Sequence, residues 1–377
     1  MKIGITCHPS AGGSGILATE LGIALAHRGH EVHFVTTEPP FRLIDFHENI
    51  FYHSVDSPSY PLFRDPPMSL ALTAKICEVA EENHIELWHA HYAIPHAMCA
   101  IMARAMLAPD KRFKVVTTLH GTDITLVGTD PSFHRITRYS MEQSDEVTSV
   151  SNWLTHETMR EFSLARPIRT IYNFTNTDRF ADPSVKRCTF AEENEKILMH
   201  ISNFRPVKRV TDVVRVFKKV SDRIAARLVM VGDGPERLSA IGVARQLGIT
   251  DRIRWLGTNE KLEHVLPCAD LVFQPSEHES FGLVPLEAMA CEIPVLGTRS
   301  GGVTEVVLDG ETGYLCEVGD IEAMAARALE ILNNPELARE MGRKGRERVQ
   351  AHFAHDMIVD QYEALYHELL GAPVAAK

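Results

Sequence analysis

The stretch "KILMHISNFRPVKRVTDVVRVFKKV" (196–220) joins two kinds of hydrophobic pattern within 25 residues. Its first seven residues hold the apolar Ile197, Leu198, Met199 and Ile201, broken only by His200. A polar turn holding Pro206 follows, and then Val210, Val213, Val214, Phe217 and Val220 recur at helical spacing. A run apolar on both sides reads as a strand covered on both faces, and the one-faced helix after it is what covers a parallel sheet. The same pairing opens the chain. "KIGIT" (2–6) is followed by a stripe of Ile16, Leu17, Leu21, Ala24 and Leu25, and then by the strand-like "EVHFVTT" (31–37). Further strand signals are "ELWHAH" (86–91), "KVVTTLH" (114–120), "EVTSVS" (146–151) and "IRTIYN" (168–173), and, after 196–202, "ARLVMVGDG" (226–234), "RIRWLG" (252–257), "LVFQPS" (271–276) and "IPVLGT" (293–298).

Such alternation predicts an α/β protein built on doubly wound parallel sheets. The polar, turn-rich segment 174–194 interrupts it, and 377 residues exceed what one core usually holds. Two Rossmann-like domains facing a central cleft are therefore expected, one over 1–173 and one over 174–354, with substrate at the carboxyl ends of the strands. From about residue 320 the sequence reads as helices only.

Composition narrows the function classes. A net charge of −11 argues against a general nucleic-acid surface while leaving room for a local basic pocket. Seven cysteines without a C-x-x-C spacing suit a reducing compartment better than a disulfide framework. The opening "MKIGITCHPSAGG" turns polar too early for a signal peptide, and no apolar run approaches the roughly 18–20 residues of a membrane span. A cytoplasmic protein without membrane insertion is expected; oligomeric state is left open.

Three segments carry candidate chemistry. "HPSAGGSG" (8–15) leads from the first strand into the first helix, where Gly12 and Gly13 let backbone amides approach an anion closely. It lacks the G-x-G-x-x-G spacing, so a phosphate or substrate loop, a plain tight turn and an NAD site with Glu38 all stay open here. In "SNFRPVKR" (202–209), Arg205 and Lys208 sit where the chain leaves a strand for a helix. Cations at that place oppose the helix dipole, which points to an anionic ligand such as a diphosphate rather than a solvated helix start. In "SEHESFGLVPLEAMACEIPVLG" (276–297), Glu279 and Glu287 stand eight positions apart. With Pro285 as first helical residue, Glu287 falls in the first turn and Glu279 in the loop before it. A loop glutamate followed by exposed amides at Phe281, Gly282 and Leu283 suits holding hydroxyls and a phosphate better than hydrolysing a glycosidic bond.

His89, His91 and His96 suggest a metal site only at first sight, since no cysteine or acid completes a set. No D-x-D occurs, so no metal or other cofactor is expected.

Glu279-x7-Glu287, Arg205-x2-Lys208, "VGDGPE" (231–236), the Gly12–Gly13 loop and "GGVTEVVLDGETGYL" (301–315) together resemble retaining GT-B glycosyltransferases of family 4. That resemblance implies catalytic positions at His120, Arg205, Lys208 and Glu279. Glu279 would contact the donor sugar, Glu287 the ribose, and Arg205 and Lys208 the diphosphate, with Asn203 nearby. His120 in "LHGTD" would lie against sugar and acceptor. The last helix, about 355–377, would pack back on the first domain.

Segments 91–107, 115–154 and 202–214 resemble more narrowly the branch that serves bacillithiol biosynthesis. Those enzymes move N-acetylglucosamine from UDP-GlcNAc to the hydroxyl of L-malate. A dicarboxylate acceptor needs cations or oriented donors. Arg64, Tyr92, Thr118 and Arg138 are suitable in type and place, and Ser14 adds a donor, although Arg138 also reads as an exposed helix arginine. Transfer to inositol phosphate or another acceptor is the close alternative. An NAD-dependent oxidoreductase and a non-catalytic nucleotide-sugar binder are the remote ones.

Overall fold

The computed structural model describes residues 1–9, 12–43, 45–57, 67–180, 190–259 and 261–371. The chain divides into two compact units, Met1–Asn173 with Asp356–Lys377, and Phe174–His355.

The first unit holds a seven-stranded sheet in the order β3-β2-β1-β4-β5-β6-β7. The strands are β1 (Lys2–Thr6), β2 (Glu31–Thr36), β3 (Ile50–Ser54), β4 (Leu87–His91), β5 (Lys114–Leu119), β6 (Glu146–Ser149) and β7 (Arg169–Thr170), all paired in parallel. The chain winds outward from β1 to β3 and then crosses back to β4 on the other side of β1. The strand order therefore reverses between β1 and β4, where ligands gather in such sheets. Trp88 of β4 is fully buried and lies over Gly4 of β1, where an added Cβ would stand 2.3 Å from its ring. The sheet thus closes over a large aromatic only because β1 carries a glycine there.

The helix His355–Leu370 belongs to this unit for identifiable reasons. Arg28 donates from Nη1 to Asp360 Oδ1 at 2.6 Å and to Glu363 Oε2 at 2.7 Å. On the helix's buried side, Tyr366 Oη meets His89 Nδ1 at 2.7 Å.

The second unit holds a six-stranded parallel sheet in the order β10-β9-β8-β11-β12-β13. Its strands are β8 (Lys196–Ile201), β9 (Ala226–Val231), β10 (Ile253–Gly257), β11 (Leu271–Gln274), β12 (Val295–Thr298) and β13 (Gly313–Cys316). The helix Val210–Ser221 buries Val210, Val213, Val214, Phe217 and Val220 in its core. At roughly 1.5–3 kcal/mol per buried side chain, that stripe outweighs the indifferent propensity of a valine-rich helix.

Two strands fall outside the runs read from sequence. β3 lies at the sheet edge with Phe51 43% and Tyr52 37% exposed, so it shows no buried face in its pattern. β13 opens on Gly313, where a Cβ would meet Val295 O at 2.1 Å, and glycine weakens any strand signal. β7 spans two residues, against the six of "IRTIYN". Cys7, Cys77, Cys99, Cys291 and Cys316 are free thiols, and Cys268 is disulfide-bonded. Among the described residues no helix is long and apolar enough to cross a membrane.

Candidate active site

In the second unit the chain leaves β8 at Ile201 and turns before the helix Val210–Ser221. Fully buried His200 fixes the start of that turn. Its Nδ1–H donates to Phe273 O at 3.0 Å, and its Nε2 accepts the Ser202 hydroxyl at 2.8 Å, whose oxygen in turn receives the Phe204 N–H at 3.2 Å. Burial pulls His200 down to about 4, in keeping with a neutral ring in these two roles.

The turn rests on the glycines of "VGDGPE". Gly232 and Gly234 have φ of +121° and +155°, and added Cβ atoms would stand 1.8 Å from Ser202 O and 2.1 Å from Asn203 O. A short 3₁₀ turn, Pro206–Lys208, then aims the lysine. Lys208 Nζ donates to Glu279 Oε2 at 2.6 Å, with side chains only 18% and 17% exposed. Gln274 Nε2 donates to the same oxygen at 2.9 Å and to Ser276 Oγ at 3.1 Å. The two loops are also joined through the backbone, since Glu277 N–H donates to Val207 O at 2.8 Å.

Behind Glu279, Gly302 N–H donates to its carbonyl at 2.7 Å, and a Cβ on Gly301 would sit 2.1 Å from that same oxygen. The "GGVTE" segment therefore fixes the glutamate's backbone. Glu279 Oε1 has no partner among the described residues, so the carboxylate is anchored through one oxygen and open through the other. Arg205 is exposed without an ion pair among the described residues, and Asn203 is exposed beside it.

In the first unit, the chain after β4 and the chain after β5 meet. Tyr92, at φ +93°, donates its N–H to Thr118 O at 2.9 Å. Asp123 ties the two loops. Its carboxylate accepts the N–H groups of Ala93 at 3.1 Å, Gly121 at 2.9 Å and His120 at 3.2 Å. Burial raises this acid to about 6 even though the three amides pull it down. His91 Nδ1 lies 2.9 Å from His120 Nε2. The His120 ring stacks on Tyr92 at 5.5 Å between centroids, and His8, just after β1, meets Tyr92 edge-on at 4.9 Å. An aromatic surface thus stands at the switch point of this sheet.

Residues 11–179 match Glycosyltransferase Family 4, and residues 184–348 match Glycosyl transferases group 1. Over 373 residues, 98% of this chain and 97% of the relative, the sequence is 48% identical to N-acetyl-alpha-D-glucosaminyl L-malate synthase of Bacillus anthracis. The chain belongs to this glycosyltransferase family. Sucrose-phosphate synthase from Thermosynechococcus elongatus superimposes with a TM-score of 0.84 at 26% identity, covering 99% of this chain and 100% of that one. Anabaena HepE, solved with UDP and glucose, gives 0.83 at 18% identity over 97% and 99% of the two chains, a likeness in fold alone. The fold is GT-B, with two Rossmann-like domains, and the protein is an enzyme of the transferase class. The dinucleotide reading of the first glycine loop falls with that.

Several expected positions of the transferase sit differently from the sequence reading. The helix containing Glu287 begins at Leu283, two residues ahead of Pro285, behind Gly282 at φ +103°. Proline is tolerated there because the first-turn amides have no intrahelical partners. Glu287 consequently lies in the second turn and is 3% exposed, which removes the helix-dipole explanation for it. Phe281 buries its ring 5.7 Å from that of Phe353, which anchors the backbone of this loop. Thr118 is 1% exposed, and its hydroxyl is held at 2.6 Å by both His89 Nε2 and Thr148 Oγ1. Its side chain serves the core and is withdrawn as an acceptor contact.

Arg138 lies on the helix Pro131–Gln143, where its Nε donates to Glu142 Oε1 at 2.8 Å. Gly12 caps the helix Gly13–His27 without any side-chain hydrogen bond, with Gly13 exposed and Ser14 half-buried. Arg64 lies outside the described residues. Sequence reading passed over Gln274 and Asp123. Asp123 stands in the quoted "LHGTD", whereas no local pattern marks Gln274.

Proposed function

We propose that this transferase moves N-acetylglucosamine from UDP-GlcNAc to the hydroxyl of L-malate with retention, releasing UDP, as the first step of bacillithiol biosynthesis. The observation that carries this reading is the 48% identity to the Bacillus anthracis enzyme of that name across both units. The donor belongs with the second unit. Lys208 and Arg205 take the diphosphate charge as UDP leaves, Glu279 holds sugar hydroxyls through its open oxygen, and Glu287 takes the ribose. Asn203 and the amides from Phe281 to Leu283 line the same ligand, and the Gly12–Gly13 loop adds backbone donors to the phosphates. Tyr92, Arg138, Arg64 and Ser14 hold malate, with His120 against sugar and acceptor.

On this reading two cations neutralise the leaving group without proton transfer, so the reaction needs no metal. The malate hydroxyl attacks the anomeric carbon on the face that UDP vacates, and a donor phosphate oxygen takes its proton. Rate then comes from positioning and from stabilising the departing charge. The test is UDP release with UDP-GlcNAc and L-malate, lactate or inositol phosphate, with no metal added and with chelator. Release dependent on L-malate is expected. Faster release with inositol phosphate would overturn the acceptor, and no release with any acceptor would leave only a binding protein.

A further inference from the structure

His89 and His91 share one face of β4, yet their surroundings differ. His89 uses both ring nitrogens, Nε2 with Thr118 Oγ1 at 2.6 Å and Nδ1 with Tyr366 Oη at 2.7 Å. His91 uses one. Its Nδ1 lies 2.9 Å from His120 Nε2, while its own Nε2 is buried without a partner among the described residues. The Nδ1 of His120, on a half-buried ring, has no partner among the described residues either, and it is not sealed from solvent as the His91 nitrogen is.

We infer that His91 is a positioning residue that locks His120 into the tautomer carrying its proton on Nδ1, so that His120 offers the site a hydrogen-bond donor and not a base. Each neutral imidazole has one N–H and one bare nitrogen, and a single proton lies between the two rings. If His120 Nε2–H were the donor, the proton of His91 would sit on Nε2, a buried N–H with nothing to meet. If His91 Nδ1–H is the donor, its Nε2 is an unused acceptor. Orphaned buried donors are the rarer and costlier of the two. The second arrangement therefore wins, and it forces the His120 proton onto Nδ1. Burial, then neighbouring imidazoles, keeps both rings neutral, His120 at about 3 and His91 well below its ordinary range. Stacking of Tyr92 on His120 fixes the plane in which that N–H points.

The role at the substrate rests on the transferase reading; the tautomer does not. Full-length protein labelled with ring-¹⁵N histidine, examined by long-range ¹H–¹⁵N correlation with His120→Gln and His91→Asn for assignment, should show His120 and His91 both protonated on Nδ1. Protonation of His120 on Nε2 would overturn the inference. Kinetics supply the second arm. His91→Asn keeps an N–H near the place of Nδ1 and should hold kcat near wild type. His91→Leu should lower kcat by about 10–100-fold, the scale on which partners behind a functional imidazole act. UDP affinity by calorimetry should be unchanged in both. Equal kcat losses in the two variants, or loss of UDP binding, would mean a structural role only and defeat the proposal. The spectrum needs no turnover, so failure of the transferase reading and failure of this one are read separately.

Discussion

Lys208 and Glu279, 71 positions apart in sequence, meet at 2.6 Å and share that contact with Gln274. Each side chain is more than four-fifths buried, so the pair is held by its surroundings instead of flickering as an exposed ion pair does. Without ligand the carboxylate neutralises the lysine. On the proposed function, an arriving diphosphate would compete for the same ammonium while Glu279 meets the sugar through its other oxygen, so that one bond would couple the two roles.

Lys208→Ala should lower kcat by on the order of 10²–10³, as loss of one preorganised charge-stabilising donor does. It also leaves Glu279 a mostly buried carboxylate without its cation, held only by the Gln274 amide among the described residues. Added Mg²⁺ should not restore turnover. Steady-state UDP release by folded variant decides the matter, and near wild-type kcat would take Lys208 out of the mechanism.

Glu287→Gln should weaken UDP and UDP-GlcNAc alike, since both ligands carry the ribose. Glu279→Gln should weaken only the sugar nucleotide. Calorimetric titration of each variant with each ligand separates the roles, and equal UDP losses in the two variants would contradict them.

Among the described residues Arg138 is held only by Glu142 on a helix surface, a kind of pair worth about 0.2–1 kcal/mol, so an acceptor carboxylate can take it over. A charge-assisted bond of roughly 1.5–3 kcal/mol predicts that Arg138→Met raises the malate KM about 10–100-fold with UDP affinity unmoved. Lactate should be a far poorer acceptor than L-malate for the wild type. An unchanged malate KM would leave Arg138 as the surface arginine that its salt bridge describes.

Burial holds His89, His96 and His120 at about 3 and His200 at about 4, against 6.5 for a free ring. Folded-state values below the unfolded one mean that the unfolded chain binds protons first as pH falls. Stability is therefore full above about pH 6.5 and is lost on acidification toward pH 4. Four rings give a slope approaching about 5 kcal/mol per pH unit. Urea unfolding at pH 7.5, 6.5 and 5.5 should show a midpoint nearly constant over the first step and falling sharply over the second. A flat profile would show that protonated rings are accommodated.

Reading the sequence went furthest where burial was symmetrical. The apolar runs at β1, β8 and β9 and the Val210–Val220 stripe announced themselves because both faces of the sheets are covered. That symmetry also hid things. Thr117 and Thr118 of β5 are both buried, so strand alternation gave no sign that the Thr118 hydroxyl is held by His89 and Thr148. Pro285 marked a helix start that Gly282 had already made two residues earlier, through a φ that only geometry reveals. The meeting of Lys208 with Glu279 and the tie from Asp123 to Ala93 depend on loops distant in sequence, which no local pattern encodes.

The helix His355–Leu370 follows the entire second unit in sequence and yet supplies Asp360, Glu363 and Tyr366 to the first. During synthesis the order of completion is therefore inverted. The unit translated first must wait with His89 Nδ1 and Arg28 lacking the partners that this helix brings, while the contiguous second unit emerges and can finish on its own. A chain truncated after residue 354 should show a protease-resistant second unit beside an unfinished first one. The earliest-made half of the enzyme is the last to be sealed.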